Sequence, residues 1–130
     1  PHLPGLTRPA ECYFERAVRW RPDDAVARML YAQFLYLWKR PYEAKAQLEQ
    51  ATRVAGDNPM THYNIGLVYL EGGNPASALA QAHKAYALGF TRPELRDRLK
   101  QSGHWREPEA TASAEPAASA AEPSASAPQR

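Results

Sequence analysis

Residues 41–51, PYEAKAQLEQA, align with residues 75–85, PASALAQAHKA, when the sequence is shifted by 34 positions. The two segments are identical at five positions: the leading Pro, three Ala and one Gln. The alignment continues upstream, where the small residue Ala32 falls on Gly66. Recurrence at a fixed period of this length is the signature of a repeat array, in which each unit stacks on its neighbour. The sequence therefore predicts repeated structural units.

Turn and capping signals divide the chain into helices. Favourable N-cap residues stand at Asp24, Asn58 and Asn74, and residues 91–94, TRPE, form a capping box. Glycines at 72–73, 89 and 103 mark helix ends. No segment shows a sustained two-residue alternation, so no strand is expected. The predicted fold class is all-α, with about six helices at roughly 8–21, 25–37, 42–54, 59–71, 75–88 and 93–102.

The 34-residue period and its pattern of small and large residues resemble the tetratricopeptide repeat (TPR), a helix–turn–helix unit. In the first helix the family has a small residue and a large one three positions later, here Ala32 with Leu35 and Gly66 with Tyr69. The second-helix pattern is matched by Ala44, Leu48 and Ala51, by Ala78 and Ala85, and one period upstream by Ala10, Phe14 and Ala17. The departures are the absence of Trp near the repeat start, Pro41 and Pro75 in the inter-helix turns, and Ala82 in place of a bulky residue.

The resemblance implies a right-handed solenoid of helical hairpins. The expected organisation is an extended segment at 1–6, a half repeat at 7–24, full repeats at 25–58 and 59–92, and a cap helix at 93–103 within a solenoid ending at 106. Residues 107–130 contain 9 Ala, 4 Pro, 4 Ser and 4 Glu and no large apolar residue. Such a segment has nothing to bury and is predicted to be a disordered tail, either a spacer or a Pro-rich bait for a partner.

Composition and charge exclude several classes of protein. The net charge of +2 combines +5 over residues 1–106 (15 Lys and Arg against 10 Asp and Glu) with −3 over the tail. That field is too weak to favour non-specific nucleic-acid binding, which stays a weaker alternative through the basic helical body. No apolar run is long enough to cross a bilayer, so no membrane span is expected. The tail composition is typical of high-GC bacteria, and the compartment stays open between a soluble or peripheral cytoplasmic and a periplasmic location.

Candidate chemistry is sparse. The four His show no metal-site spacing and are expected to be ordinary surface or packing residues, and no Gly-rich phosphate loop is present. Cys12 is expected to be a buried or half-buried structural thiol. Arginines at 8, 16, 19, 21 and 28 could bind an acidic partner or an anionic surface, but Glu11, Glu15, Asp23 and Asp24 lie among them, which favours a solvated face with salt bridges. No catalytic, cofactor-binding or metal-binding residue is predicted, and the chain is not expected to be an enzyme.

TPR proteins bind peptides or proteins on a concave face formed by the first helix of each pair. The resemblance assigns to that face Met29, Gln33, Tyr36, Met60, Tyr63, Asn64, Leu67 and Arg98, with Leu30, Leu37, Leu70 and Gln101 beside them. Some TPR proteins clamp the acidic C-terminal peptide of heat-shock chaperones with Lys, Asn and Arg side chains. The corresponding residues here are Met29, Gln33, Asn64, Glu94 and Arg98, of which only Asn64 and Arg98 match, so chaperone-tail binding is disfavoured.

The first predicted helix lacks a first-helix partner, because residues 1–6 are too few to supply one. Its residues Phe14, Val18 and Trp20 are therefore expected to form an uncovered apolar strip that binds a partner. The chain starts at Pro1 with neither Met nor a leader, which suggests the C-terminal part of a larger TPR protein or a mature subunit of an assembly, a homo-oligomer included.

These observations predict a non-catalytic protein–protein interaction module, a scaffold or assembly subunit, whose partner the sequence does not identify. The alternative is an accessory TPR segment of a larger enzyme, which an upstream catalytic motif would reveal.

Overall fold

The computed structural model describes the backbone of residues 4–108 and the side chains of residues 9–108. Within that range the chain forms six α-helices and no strand, which confirms the all-α fold class. The helices are α1 (Pro4–Trp20), α2 (Ala25–Leu37), α3 (Pro41–Val54), α4 (Pro59–Glu71), α5 (Pro75–Ala87) and α6 (Glu94–Gln101). Residues 4–6, expected to be extended, are helical. The predicted disordered tail lies, apart from residues 107–108, outside the described residues.

Local capping explains where α2 and α4 begin. The side chain of Asp24 accepts a hydrogen bond from the amide of Ala27 at 3.0 Å, and Asn58 accepts one from the amide of Thr61 at 3.1 Å. Both caps were predicted from the sequence. Each satisfies one of the amide groups that the first turn of a helix leaves without an intrahelical acceptor.

The predicted caps of α5 and α6 are wrong. Asn74 makes no side-chain cap, and α6 begins at Glu94 with Pro93 at the N-cap position, so Thr91 does not cap it. The first amides of α6 instead donate to tyrosine hydroxyls of the neighbouring helices: Leu95 N to Tyr63 Oη and Arg96 N to Tyr86 Oη, both at 3.2 Å. The start of α6 is therefore stabilised by tertiary contacts.

Four of the helices pack as two tight pairs, and one helix of each pair also contributes to a row that α6 completes. α2 packs against α3 and α4 against α5, each pair connected by three residues, 38–40 and 72–74. α2, α4 and α6 contact one another in succession, whereas α1 contacts α2 alone among the described helices. Ala32, Ala44 and Ala51 in one pair, and Ala78 and Ala85 in the other, are fully buried. Small side chains at these positions let the paired helices approach closely.

The contacts between paired helices repeat with the period of the sequence. In the first pair Arg28 Nη1 of α2 donates to Gln47 Oε1 of α3 at 3.0 Å. In the second pair the positions one period later are His62 and Gln81, whose side chains lie 2.7 Å apart. The turns agree as well, since Lys39 and Gly73 both have positive φ, 64° and 85°. The sequence period is therefore also a period of the packing.

Candidate interaction surfaces

One side of the α2–α4–α6 row is not covered by any other described helix. We call it the open face, and each helix contributes a stripe of residues spaced by three or four positions. The stripes are Val26, Leu30, Gln33 and Leu37 on α2, Met60, Asn64, Leu67 and Glu71 on α4, and Glu94, Arg98 and Gln101 on α6. Leu37 is 73% exposed, and Val26, Leu30 and Met60 are also exposed. The open face is therefore apolar at α2 and charged at α6.

A groove of about 320 Å³ lies between the C-terminal ends of α2 and α4. Gln33 and Leu37 line it from α2, and Val68 and Glu71 line it from α4. These contacts show that the two stripes are neighbours in space as well as in the repeat alignment. The groove combines aliphatic surface with one amide and one carboxylate, a mixture that suits a peptide better than a small charged ligand.

Tyr36, a predicted partner-binding residue, forms the wall of this groove and also holds the two helices together. Its ring lies so close to Gly72 that a Cβ at that position would overlap the ring. Its hydroxyl accepts a hydrogen bond from Asn74 Nδ2 at 2.8 Å. Burial raises the pKa of Tyr36 above its usual value, and the bond from Asn74 opposes that shift only in part. Tyr36 therefore contributes to the packing of the fold, and its half-buried ring also lines the groove.

Carboxylates surround the basic residue at the α6 end of the open face. Arg98 Nη1 lies 3.7 Å from Glu71 Oε2 and 3.9 Å from Glu94 Oε2. An incoming carboxylate would have to compete with both acids for Arg98.

Of the eight residues predicted for this face, Gln33 and Met60 are exposed, and five are half-buried: Met29, Tyr36, Asn64, Leu67 and Arg98. Tyr63 is only 1% exposed, and its ring packs 4.6 Å from that of Phe90. The structure therefore places Tyr63 in the core, because the start of α6 covers it. Val26 was missed by the sequence reasoning, although it lies one period before Met60 and could have been found from that spacing.

The second candidate surface is on α1, where the three predicted residues differ in their exposure to solvent. The Phe14 ring stacks on Tyr31 of α2 with centroids 5.5 Å apart, and Val18 is also partly buried against the core. Trp20, in contrast, is 82% exposed. Tyr13, which was not predicted, is 66% exposed beside it. The outward side of α1 is therefore formed by Tyr13 and Trp20.

An open groove of about 310 Å³ follows this side of α1 and continues to the start of α2. We call it the α1 groove, and it is lined by Tyr13, Arg16, Ala17, Trp20, Arg21, Asp24 and Ala27. It is mostly apolar, with the two arginines at its rim. Positions 13, 16, 17 and 20 have the spacing of one helix face, so the groove has the length of about two helical turns.

Of the arginines on and directly after α1, those with described side chains, Arg16, Arg19 and Arg21, form none of the salt bridges that the sequence suggested. Among the described side chains, Arg40 and Arg98 are the basic residues in ion pairs. Arg40 bonds to Glu11 and Glu43, both at 2.6 Å, and lowers the pKa of Glu43. The predicted thiol environment differs too, because Cys12 is exposed on α1, as is Ala46 one period later on α3.

The histidine with the most defined environment is structural. His62 is buried, with Nε2 2.7 Å from the carbonyl oxygen of Gly56 and Nδ1 2.7 Å from the side-chain amide of Gln81. Because a carbonyl only accepts, Nε2 carries a proton that it donates to Gly56. No cluster of three or more His, Cys, Asp or Glu placed to hold a metal ion occurs in the part of the chain that the structure describes. None of the described helices is long and apolar enough to cross a membrane.

Comparison with known proteins does not assign the chain to a family. No family model, no curated protein and no solved structure matches it.

Proposed function

We propose that this chain is a TPR-type protein-interaction module that binds a partner protein or peptide on its open face. The observation that carries the proposal is the set of exposed apolar residues Val26, Leu30 and Leu37 on α2 and Met60 on α4, one period after Val26. Aliphatic side chains gain about 25 cal/mol per Å² when apolar area is removed from water. A contiguous apolar patch on a small domain is therefore a common mark of an interaction site.

Two features of the fold support the TPR proposal. The hydrogen-bonded pairs Arg28–Gln47 and His62–Gln81 occupy equivalent positions in the two helical hairpins. The pattern of contacts between helices, in which α2, α4 and α6 form a row and α3 and α5 pack beside it, is compatible with stacked hairpins. In such an array the row of first helices is the natural binding face.

The change from apolar residues at α2 to charged residues at α6 along the open face defines the class of ligand. At α2 the ligand meets aliphatic side chains, and at α6 it meets Glu71, Glu94 and Arg98, which already neutralise one another in part. We therefore expect a peptide segment with two or three aliphatic residues toward α2 and neutral hydrogen-bonding groups toward α6. The aliphatic contacts at α2 contribute more to affinity than the charged residues at α6, because exposed ion pairs contribute little.

Photo-crosslinking in cells of the source organism tests this proposal. A benzoylphenylalanine is placed at Leu37 on the open face or at Tyr42, which is 86% exposed on α3. We expect a discrete crosslinked protein from position 37 and none from position 42. The double variant Leu30→Glu/Leu37→Glu should lose the partner, whereas Tyr42→Glu should keep it and all variants should retain their helical circular dichroism.

Equal crosslinking from positions 37 and 42, or full binding by the Leu30→Glu/Leu37→Glu variant, would contradict the proposed open-face function.

A further inference from the structure

The α1 groove lies at the position where the second helix of each complete hairpin packs against its first helix. In the two complete pairs, Gln47 and Gln81 of the second helix bond to the first helix, and Ala51 is fully buried there. The residues 34 positions before Gln47 and Ala51 are Tyr13 and Ala17 of α1. Both line the open groove instead of a helix. The surface of α1 thus has the composition and spacing of a second helix whose first-helix partner is not among the described elements.

The aromatic content of this surface favours a covering partner. Trp20 and Tyr13 are the large side chains of the groove, and each exposes most of its surface to solvent. Aromatic residues of this size dominate the energetics of protein interfaces once water is excluded from them. Ala17 between them leaves room for a side chain of a docked helix.

Two helices that could fill the groove fit it poorly. In the complete hairpins a three-residue turn, 38–40 or 72–74, precedes the second helix, but the equivalent residues 4–6 are helical. A first helix of the same chain therefore could not enter through the turn that the other hairpins use. In a second copy, α6 is the helix without a second-helix partner, but Lys100 stands where Ala32 and Gly66 permit close approach. A long charged side chain there keeps another helix at a distance.

The charges at the rim define the partner that fits. Arg16 and Arg21 line the groove, are exposed and form no ion pair with the described acidic side chains. Asp24 also lines the groove, but its carboxylate is bound to the first turn of α2. The rim thus presents unpaired guanidinium groups, and carboxylates are their strongest side-chain partners.

We propose that the α1 groove is the docking site for an acidic amphipathic helix of a different protein. Its aliphatic side chains lie between Tyr13 and Trp20, and its Glu or Asp residues face Arg16 and Arg21. A Gly or Ala of that helix lies over Ala10, as Gly66 of α4 lies against Ala78, the equivalent of Ala10 in α5. This deepens the proposed interaction function by naming the partner class of a second surface, apart from the open face.

Fluorescence anisotropy with synthetic probes on the full chain tests the inference. The probe is a stapled helix of about 20 residues, long enough to hold its helical form, with an aliphatic stripe, one central Ala and flanking Glu. The comparison probes are the same helix with Lys in place of Glu, and a single-stranded oligonucleotide. We expect the acidic helix to bind and to shift the tryptophan emission to shorter wavelength in the parent chain but not in Trp20→Ala, since Trp38 and Trp105 also emit, and we expect neither comparison probe to bind.

Matched variants locate the binding. Arg16→Glu/Arg21→Glu should raise the Kd of the acidic helix at least about tenfold, the equivalent of about 1.4 kcal/mol, and Trp20→Ala should weaken binding similarly. The control Arg53→Glu reverses an exposed arginine on α3 and should leave the Kd unchanged, as should Leu37→Glu on the open face. Circular dichroism confirms that each variant is folded.

Each of the other outcomes overturns the inference. These are no binding of the acidic helix, a preference for the Lys helix or the oligonucleotide, and equal loss in the Arg53→Glu control. A concentration-dependent dimer in sedimentation that Trp20→Ala abolishes would make a second copy the occupant. If the α1 probe fails while the Leu37 crosslink persists, the inference is lost and the proposed open-face function stands.

Discussion

Gly66→Ala tests how closely the helices of the second hairpin and α6 approach. A Cβ at this position would lie 2.7 Å from Leu95 Cδ2, 3.3 Å from Gln81 Cβ and 3.4 Å from the carbonyl oxygen of Ala78. Leu95 is fully buried and has little room to move. Replacing Gly by Ala within a helix favours folding by about 1 kcal/mol. Overpacking a well-filled core opposes it by about 1–3 kcal/mol. We expect a net loss of about 1 kcal/mol of unfolding free energy.

Urea unfolding followed by circular dichroism measures this change. A double-mutant cycle with Leu95→Val isolates the contact, because Val has no Cδ atom to meet the new methyl group. Leu95→Val alone should cost about 1 kcal/mol, and it should cost less in the Gly66→Ala background. The coupling should be at least about 0.5 kcal/mol. An unfolding free energy of Gly66→Ala equal to or above that of the parent chain, or strictly additive effects, would refute the close approach.

The equivalent position in the first hairpin gives the converse experiment. Ala32 is fully buried there, and the residue 34 positions before Leu95 is the smaller Thr61. Ala32→Gly relieves no clash, so it should lose both the helix preference of Ala and the burial of one methyl group, about 2 kcal/mol together. The same small-residue site should therefore be destabilised by substitution in both directions.

Three further outcomes follow from single contacts. Burial, with smaller effects of Glu49 and Tyr36, raises the pKa of Tyr69 from 10.0 to about 12. The stability that this shift contributes is therefore complete below pH 10 and is lost as the pH rises to 12. In Tyr69→Phe, the unfolding free energy measured in urea should lose this dependence on pH between 10 and 12. His62→Leu should cost about 2 kcal/mol by leaving the Gln81 amide unpaired, and adding Gln81→Leu should recover part of it in urea unfolding rather than add a further loss. Lys39→Gly should raise the thermal midpoint, because Lys39 has the positive φ that glycine adopts without strain, and an unchanged or lower midpoint would contradict this.

Local chemistry explains how much of the fold could be predicted. Asp24 and Asn58 cap helices with their own side chains, three residues from the amides they satisfy. Gly89 ends α5 because its backbone adopts a φ of 98°. Each of these signals acts within one turn of the chain, so the sequence contains the whole interaction. The same holds for the repeat period, which sets the spacing of small residues before any packing is known.

The errors occur where a distant residue replaces a local one. Asn74 has the sequence of a cap, but its amide group donates to the Tyr36 hydroxyl, 38 residues away. Tyr63 occupies a position that the family resemblance assigns to a binding face, but α6 begins on top of it. On α1, Glu11 bonds to Arg40, 29 residues away, a contact that its spacing from the arginines of its own helix does not predict. None of these choices can be derived from spacing, because each depends on which helices meet.

The sequence by itself determined that this chain is all-α, where most of its helices begin and end, and that its pattern of small and large residues recurs at a fixed period. Those properties depend on backbone capping and on apolar periodicity, which are short-range. Tertiary structure decided which apolar residues stay in water. Phe14 and Val18 are partly buried because α2 passes over them, whereas Tyr13 and Trp20 on the same helix remain exposed. The candidate binding surfaces are thus a result of packing, since exposure is a property of the neighbours as much as of the residue.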